Sequence, residues 1–339
     1  MRVHCMNTQF TQSDYLDMFS EFTNQCQKTH TEMIKNWYDP MGVTMNSFFK
    51  FAEMANASVN QIAHQHAAAL KSFFPQGASE KCVVKTTVTS QPQTGHIAIV
   101  TGGIGGIGTD ICRSLARQGN KVIATYISFE AERAVEWQKE RLEEGLDIYV
   151  IECDVTDFNA CKKMAKKLEK KYASIDILVN CAGITRDATL KKMKKENWHA
   201  VLDTNLDSVF NVTRNFINGM VKRQYGRIIN ISSVNGHKGQ FGQTNYSAAK
   251  TGMVGFTKSL ARELADSGIT VNTVSPGYVG TSMVKAMPEN IVNNIIAKIP
   301  LGRLARPSEI GDAVAFLAHT NSGYITGSDI SINGGLFMR

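Results

Sequence analysis

From His96 onward the sequence alternates between short apolar runs and helical patterns. Strands are predicted at 96–101, 121–126, 148–153, 175–180, 226–232, 269–275 and 328–332, with helical spacing between them. This alternation constrains the chain strongly. Parallel neighbours need a crossover, and the crossover helices cover both faces of the sheet. The expected class is α/β, with a doubly wound parallel sheet whose ligands bind beyond the carboxyl ends of the strands. Asp154, Asn180, Ser233 and Pro276 all fall at predicted strand ends.

The first of these strands runs straight into glycines. Ile97-Ala98-Ile99-Val100 is followed by Thr101-Gly102-Gly103-Ile104-Gly105-Gly106-Ile107-Gly108, and then by the helical pattern of Ile111 to Ala116. Glycines let the backbone approach a diphosphate, and the helix N-terminus that follows favours its negative charge. Strand, glycine turn and helix in this order point to a Rossmann-type dinucleotide site. Gly102, Gly105, Gly106, Ile107 and Gly108 are its candidates. An acid at the end of the second strand would bind the adenosine ribose hydroxyls and repel a 2′-phosphate. Here that strand ends Thr125-Tyr126-Ile127-Ser128 without one. NADPH is therefore expected over NADH.

Tyr246 and Lys250 are four apart on a predicted helix and project from one face, and Ser233 precedes Tyr246 by thirteen residues. A lysine charge near a phenol favours the phenolate and lowers a pKa of about 10. Ser233 can donate to the same substrate oxygen. Together they make a proton donor for a carbonyl. Lys162-Lys163, Lys166-Lys167 and Lys170-Lys171 read as a solvated helix face. Lys191-Lys192 and Lys194-Lys195 are read as an exposed face too, or as an attractor for phosphates of an acidic substrate.

These motifs, taken together, resemble the short-chain dehydrogenase/reductases. The resemblance rests on Thr101-Gly-x-x-x-Gly106-x-Gly108, Asn180-Cys181-Ala182-Gly183, Asn205, Ser233, Tyr246-x-x-x-Lys250 and Pro276-Gly277, and covers about residues 95–339. Cys181 departs from the pattern, where the family often has a second Asn. Within the family the chain is most similar to the acetoacetyl-CoA reductases of polyhydroxyalkanoate synthesis. The stretches Gly183-Ile184-Thr185-Arg186-Asp187, Gly239-Gln240-Phe241-Gly242-Gln243-Thr244-Asn245-Tyr246, Ser275-Pro276-Gly277-Tyr278 and Asn333-Gly334-Gly335-Leu336-Phe337-Met338 carry that likeness.

The resemblance implies Asn205, Ser233, Tyr246 and Lys250 as catalytic residues, with Asn205 positioning a water. It implies Arg133, Asp154, Val155, Asn180, Ala182, Gly183, Pro276 and Gly277 around the cofactor, with Arg133 pairing with the 2′-phosphate. It also implies Asp187, Gln240, Phe241, Gln243 and Tyr278 against the substrate. Pro288 stands where such enzymes offer an Arg to the substrate, a contact either missing here or supplied by Lys285. The implied reaction is NADPH-dependent reduction of acetoacetyl-CoA to the (R)-3-hydroxyacyl thioester by a homotetramer. Two alternatives stay open: a 3-oxoacyl-(acyl-carrier-protein) reductase of fatty acid synthesis, and a non-catalytic granule protein.

Ahead of this domain, residues 8–74 read as two long helices within an N-terminal helical extension, 1–74, and 75–94 has linker composition. The extension holds eight of the sixteen Phe and seven of the fourteen Met, so its helix faces suit adaptable apolar contacts. It faintly resembles the phasins that coat polyhydroxyalkanoate granules, so a granule surface is a candidate partner. The seven cysteines are scattered without a Cys-x-x-Cys pair, which favours neither a disulfide framework nor a zinc site. His64 and His66 are read as solvated, and no metal is expected. The formal charge of +7 comes without aromatic–basic interleaving, so nucleic acid is not expected as a partner. No apolar run is long enough for a membrane span, and no secretory signal is evident, so the expected location is cytoplasmic.

Overall fold

The computed structural model describes residues 95–338. The expected N-terminal helical hairpin, the linker, the His64–His66 pair and the phasin-like composition lie outside the described residues. Seven parallel strands form one sheet in the order β3-β2-β1-β4-β5-β6-β7. They are β1 (Ile97–Val100), β2 (Lys121–Tyr126), β3 (Ile148–Glu152), β4 (Ile177–Asn180), β5 (Gly226–Ile231), β6 (Ile269–Pro276) and β7 (Asp329–Ile332). All lie where the apolar runs predict them. The order reverses between β1 and β4, which pair in register as Ala98 with Ile177 and Val100 with Val179. Their carboxyl ends diverge there, and the crevice opens between them.

The helices fill two layers. They are α1 (Gly106–Arg117), α2 (Ala131–Glu143), α3 (Phe158–Tyr172), α4 (Lys195–Leu202), α5 (Ser208–Arg223), α6 (Thr244–Glu263), α7 (Glu289–Ile296) and α8 (Pro307–Ala318). Side chains of β1 alternate between the layers. Ala98 and Val100 pack with Ile111, Leu115 and Val314 of α1 and α8, whereas Ile97 and Ile99 pack with Leu168, Phe216 and Leu260 of α3, α5 and α6. A strand covered on both faces favours apolar residues at successive positions, which is why β1 reads as an unbroken run.

Local signals place the helix ends. Asp157 caps α3 by accepting from Asn159 N at 2.7 Å. Pro307 occupies the first turn of α8, and Glu309 reaches back to Arg306 N at 2.8 Å. The lysines of α3 are exposed, as expected for a solvated face, and Lys171 lies 3.5 Å over the Tyr149 ring.

Candidate active site

Thr101 joins the two strands that flank the crevice. Its N–H donates to Val179 O at 3.0 Å, and its Oγ1 accepts from Cys181 N at 3.0 Å and Ala182 N at 3.1 Å. The segment after β4 is thereby fixed beside the glycine turn. Gly102 has φ +61°, and a Cβ there would stand 3.0 Å from Ala182 Cα. A Cβ on Gly106 would meet Thr281 at 2.9 Å, and one on Gly108 would run into the Gly102 carbonyl. Gly105, which precedes α1, provides no side-chain cap, and the first turn of α1, where Ile107 sits, holds no acid. Backbone donors of that turn remain available to a ligand. A close backbone cradle before an uncapped, acid-free helix start fits a dinucleotide diphosphate.

The candidate residues for the ribose end lie on β2 and α2. Arg133 Nη2 donates to Ile104 O at 2.8 Å, inside the glycine turn, and Nη1 pairs with Glu130 at 2.7 Å. Its side chain remains about half exposed. Thr125, at the end of β2, accepts from Gly102 N at 3.0 Å. Asp154, past β3, accepts from the N–H and hydroxyl of Thr156 at 2.9 and 2.7 Å, and Val155 is buried.

The Asn180 side chain is engaged within the helical layer beneath the sheet. Its side-chain amide donates to Asn230 Oδ1 at 2.8 Å and Thr213 Oγ1 at 3.2 Å, inside the α5–α6 layer. Strand alternation puts Asn180 on the same face as Leu178, so its side chain points under the crevice and only its main chain borders it.

Beyond β4, the chain passes over the four candidate catalytic residues. Asn205 is fully buried in a π-helical turn, Asp203–Asp207, between α4 and α5. Its Oδ1 accepts from Ile184 N at 2.8 Å and its Nδ2 donates to Ile184 O at 2.9 Å. Such turns are frequent at functional sites. A Cβ on Gly183 would lie 3.2 Å from Asn205 Oδ1 and 3.6 Å from Lys250 Nζ, so this glycine lets the loop settle onto both side chains.

Lys250, on α6, is 3% exposed and donates to Ile231 O at 2.7 Å; its Nζ is 5.6 Å from the Tyr246 ring centre. Burial pulls the Lys250 ammonium down to about 8, with the nearby Cys181 opposing. Ser233 lies two residues past β5, and its Oγ accepts from Asn235 N at 3.1 Å. Burial raises the Tyr246 phenol above its ordinary value; a hydrogen bond to Ser233 opposes this, while Cys181 and Asp187 add to it. The sequence expectation was a phenol lowered by Lys250. Burial of the ring outweighs the lowering influences, and Lys250 donates to the carbonyl of Ile231 instead. Tyr246 is therefore a neutral phenol at ordinary pH.

The substrate-side candidates also gather here. Gln243 Nε2 donates to Asp187 at 2.8 Å, and its Oε1 accepts from Asn235 at 2.9 Å. Ala188 N donates to Gly242 O at 2.9 Å, closing the two loops on each other. Gln240 accepts from Lys238 at 2.9 Å. Phe241 is 86% exposed. Burial and the neighbouring Asp187 raise the Tyr278 phenol. Pro276 O accepts from Val234 N at 2.8 Å, and Gly277 packs closely on Asn333. Thr101, Thr125, Cys181 and Asn235 were not among the sequence candidates. Thr101 and Cys181 stand inside the quoted motifs without a role of their own, and Thr125 and Asn235 stand close to them.

The fold and this crevice define an oxidoreductase scaffold, and comparison with known proteins agrees. A family model described as enoyl-(acyl carrier protein) reductase matches residues 102–337. The chain belongs to the short-chain dehydrogenase/reductase family. It is 57% identical to an acetoacetyl-CoA reductase of Allochromatium vinosum, over 72% of this chain and 99% of that one. It is 50% identical to the acetoacetyl-CoA reductase of Cupriavidus necator, over 72% and 99%. A 3-oxoacyl-(acyl-carrier-protein) reductase of Escherichia coli is 44% identical, over 72% and 98%.

Proposed function

We propose that this protein reduces acetoacetyl-CoA to (R)-3-hydroxybutyryl-CoA with NADPH, in polyhydroxybutyrate biosynthesis. The observation that carries the reading is the 57% identity to an acetoacetyl-CoA reductase, on a chain whose Ser233, Tyr246 and Lys250 share one crevice. When bound, the nicotinamide supplies the hydride for C3 of the β-ketoacyl group. Ser233 and Tyr246 hydrogen-bond the carbonyl oxygen as negative charge grows there, and Tyr246 Oη gives up its proton. A neutral phenol suits that role, since only the protonated form can donate. Lys250 would hold the nicotinamide ribose and stabilise the phenolate that proton transfer leaves. Asn205 braces Ile184 and supports the water that restores the proton.

The glycine turn with Ile107 and the start of α1 would hold the diphosphate, and Arg133 the 2′-phosphate. Asp154 and Val155 would border the adenine; Ala182, Gly183, Pro276, Gly277 and the main chain of Asn180 would border the nicotinamide half. Asp187, Gln240, Phe241, Gln243 and Tyr278 contact the thioester. We further infer a cytoplasmic homotetramer, with catalysis confined to 95–339, a linker at 75–94, and a helical extension, 1–74, that reaches granule surfaces.

The 44% identity to a carrier-protein reductase supports a second reading, with the thioester on a carrier protein. Catalytic efficiencies on the two thioesters, measured with one enzyme preparation, separate them. A higher efficiency on the CoA ester is expected. A preference for the carrier-protein ester would overturn the first reading in favour of the second. Failure on both would leave a granule protein with an inert reductase fold.

A further inference from the structure

The turn Asn235–Lys238 begins two residues after Ser233 and is bonded to it. Gly236 N donates to Ser233 O at 3.0 Å, His237 N to Val234 O at 3.0 Å, and Asn235 N to Ser233 Oγ at 3.1 Å. On one side the turn lies against α6. A Cβ on Gly236 would stand 3.1 Å from Lys250 C and 3.2 Å from Lys250 Cβ. On the other side His237 ties it to the last two strands of the sheet. His237 Nε2 is 2.8 Å from Asp329 Oδ2 on β7 and 3.2 Å from Ser275 Oγ on β6. Ser275 Oγ donates to the other carboxylate oxygen, Asp329 Oδ1.

The Asp329 side chain is 2% exposed and that of His237 11%. A carboxylate this deeply buried has to be met by donors. An ionised carboxylate only accepts, so His237 Nε2 carries the proton aimed at it. The strand ladder fixes where these groups stand, since Thr273 pairs with Asp329 and Ser275 with Ser331. The Phe337 ring lies nearly parallel to the imidazole, at 8° and 6.2 Å between centres. The sheet thus holds the imidazole, and the imidazole holds the turn. Ser233 Oγ takes its direction from that turn through Asn235 N. The same turn sends Asn235 Nδ2 to Gln243 at 2.9 Å, and Gln243 reaches Asp187 at 2.8 Å. A shifted turn would carry the Ser233 hydroxyl with it, and small misplacements of a reacting group cost rate steeply.

We propose that His237, held by Asp329, is a positioning residue that sets Ser233 for the carbonyl oxygen of the substrate. This rests on the thioester-reductase reading, in which Ser233 hydrogen-bonds that oxygen.

The test uses the full-length enzyme with acetoacetyl-CoA and the carrier-protein ester. It reads kcat, KM, the NADPH dissociation constant and the melting temperature, in wild-type and Ser233→Ala backgrounds. His237→Leu, similar in size but without a donor, should lower kcat about tenfold and leave NADPH affinity unchanged. His237→Gln, which keeps an N–H near the position of Nε2, should recover most of that loss. In the Ser233→Ala background, His237→Leu should cost less than about twofold, because no hydroxyl remains to be placed. If His237→Leu does not fold, Asp329→Asn, which keeps the side-chain shape, is compared in the same two backgrounds with the same expectation. With wild type active, an equal loss in both backgrounds, or a lower melting temperature without loss of kcat, would overturn the positioning role and leave the reductase reading standing. A wild type that reduces neither ester would overturn the reductase reading and this role with it.

Discussion

Tyr246 carries the chemistry at the scale of single residues. Phenylalanine keeps the ring's packing and removes the only proton donor proposed there. Tyr246→Phe should therefore lose about 10²–10⁴-fold in reduction rate while dinucleotide binding stays measurable, by initial rates and by cofactor titration. Ser233→Ala should lose less, because one of two hydrogen bonds to the carbonyl oxygen survives. A Phe variant retaining more than about a tenth of the rate would exclude this role. Lys250 makes a pH prediction. Its folded value is about 8, below the 10.5 of the free side chain, so between those values the unfolded chain binds more protons. Stability must then rise with pH across that window. Urea unfolding of wild type and Lys250→Met should diverge there, with wild type gaining relative to the variant; parallel pH profiles would contradict the buried charge. At Arg133, reversal to Glu should shift preference from NADPH toward NADH, read as the ratio of catalytic efficiencies, because a carboxylate repels the 2′-phosphate. Better efficiency of the wild type on NADH would refute the expected choice.

The strand–turn–helix of β1 and α1 is where element geometry is least forgiving. A methyl on Gly108 would run into the Gly102 carbonyl, and backbone cannot yield as a flexible side chain can. Gly108→Ala should lower the melting temperature and weaken dinucleotide binding together, checked by thermal unfolding with and without NADPH. An unchanged melting temperature and affinity would mean that the close approach is not needed. The strands were legible in the sequence because burial on both faces favours short runs rich in β-branched apolar residues, and the glycine spacing exposed the crevice. Partners across the sheet were not legible. Period-two alternation says that Asn180 shares a face with Leu178, but only packing shows Asn230 and Thr213 waiting there. Likewise Cys153 and Cys161, eight residues apart, bring their sulfurs to 3.9 Å because β3 turns directly into α3. The raised Tyr246 phenol escaped for the same reason, since the spacing to Lys250 does not show how deeply the fold buries the ring.

For the whole molecule, every residue assigned to cofactor, catalysis or substrate lies beyond position 100. A chain starting near Gln93 should therefore fold and keep reductase turnover, measured beside the full chain. If the extension reaches granules, full-length protein should sediment with them and the shortened one should not; background binding by both would remove the granule proposal. The central claim concerns the reaction itself. Its most direct measurement is NADPH oxidation by the purified full-length protein with acetoacetyl-CoA, followed by chiral analysis of the product. The account predicts stoichiometric NADPH consumption and (R)-3-hydroxybutyryl-CoA, with the rate collapsing in Tyr246→Phe. No acetoacetyl-CoA-dependent oxidation by wild type, or equal rates in both proteins, would contradict it.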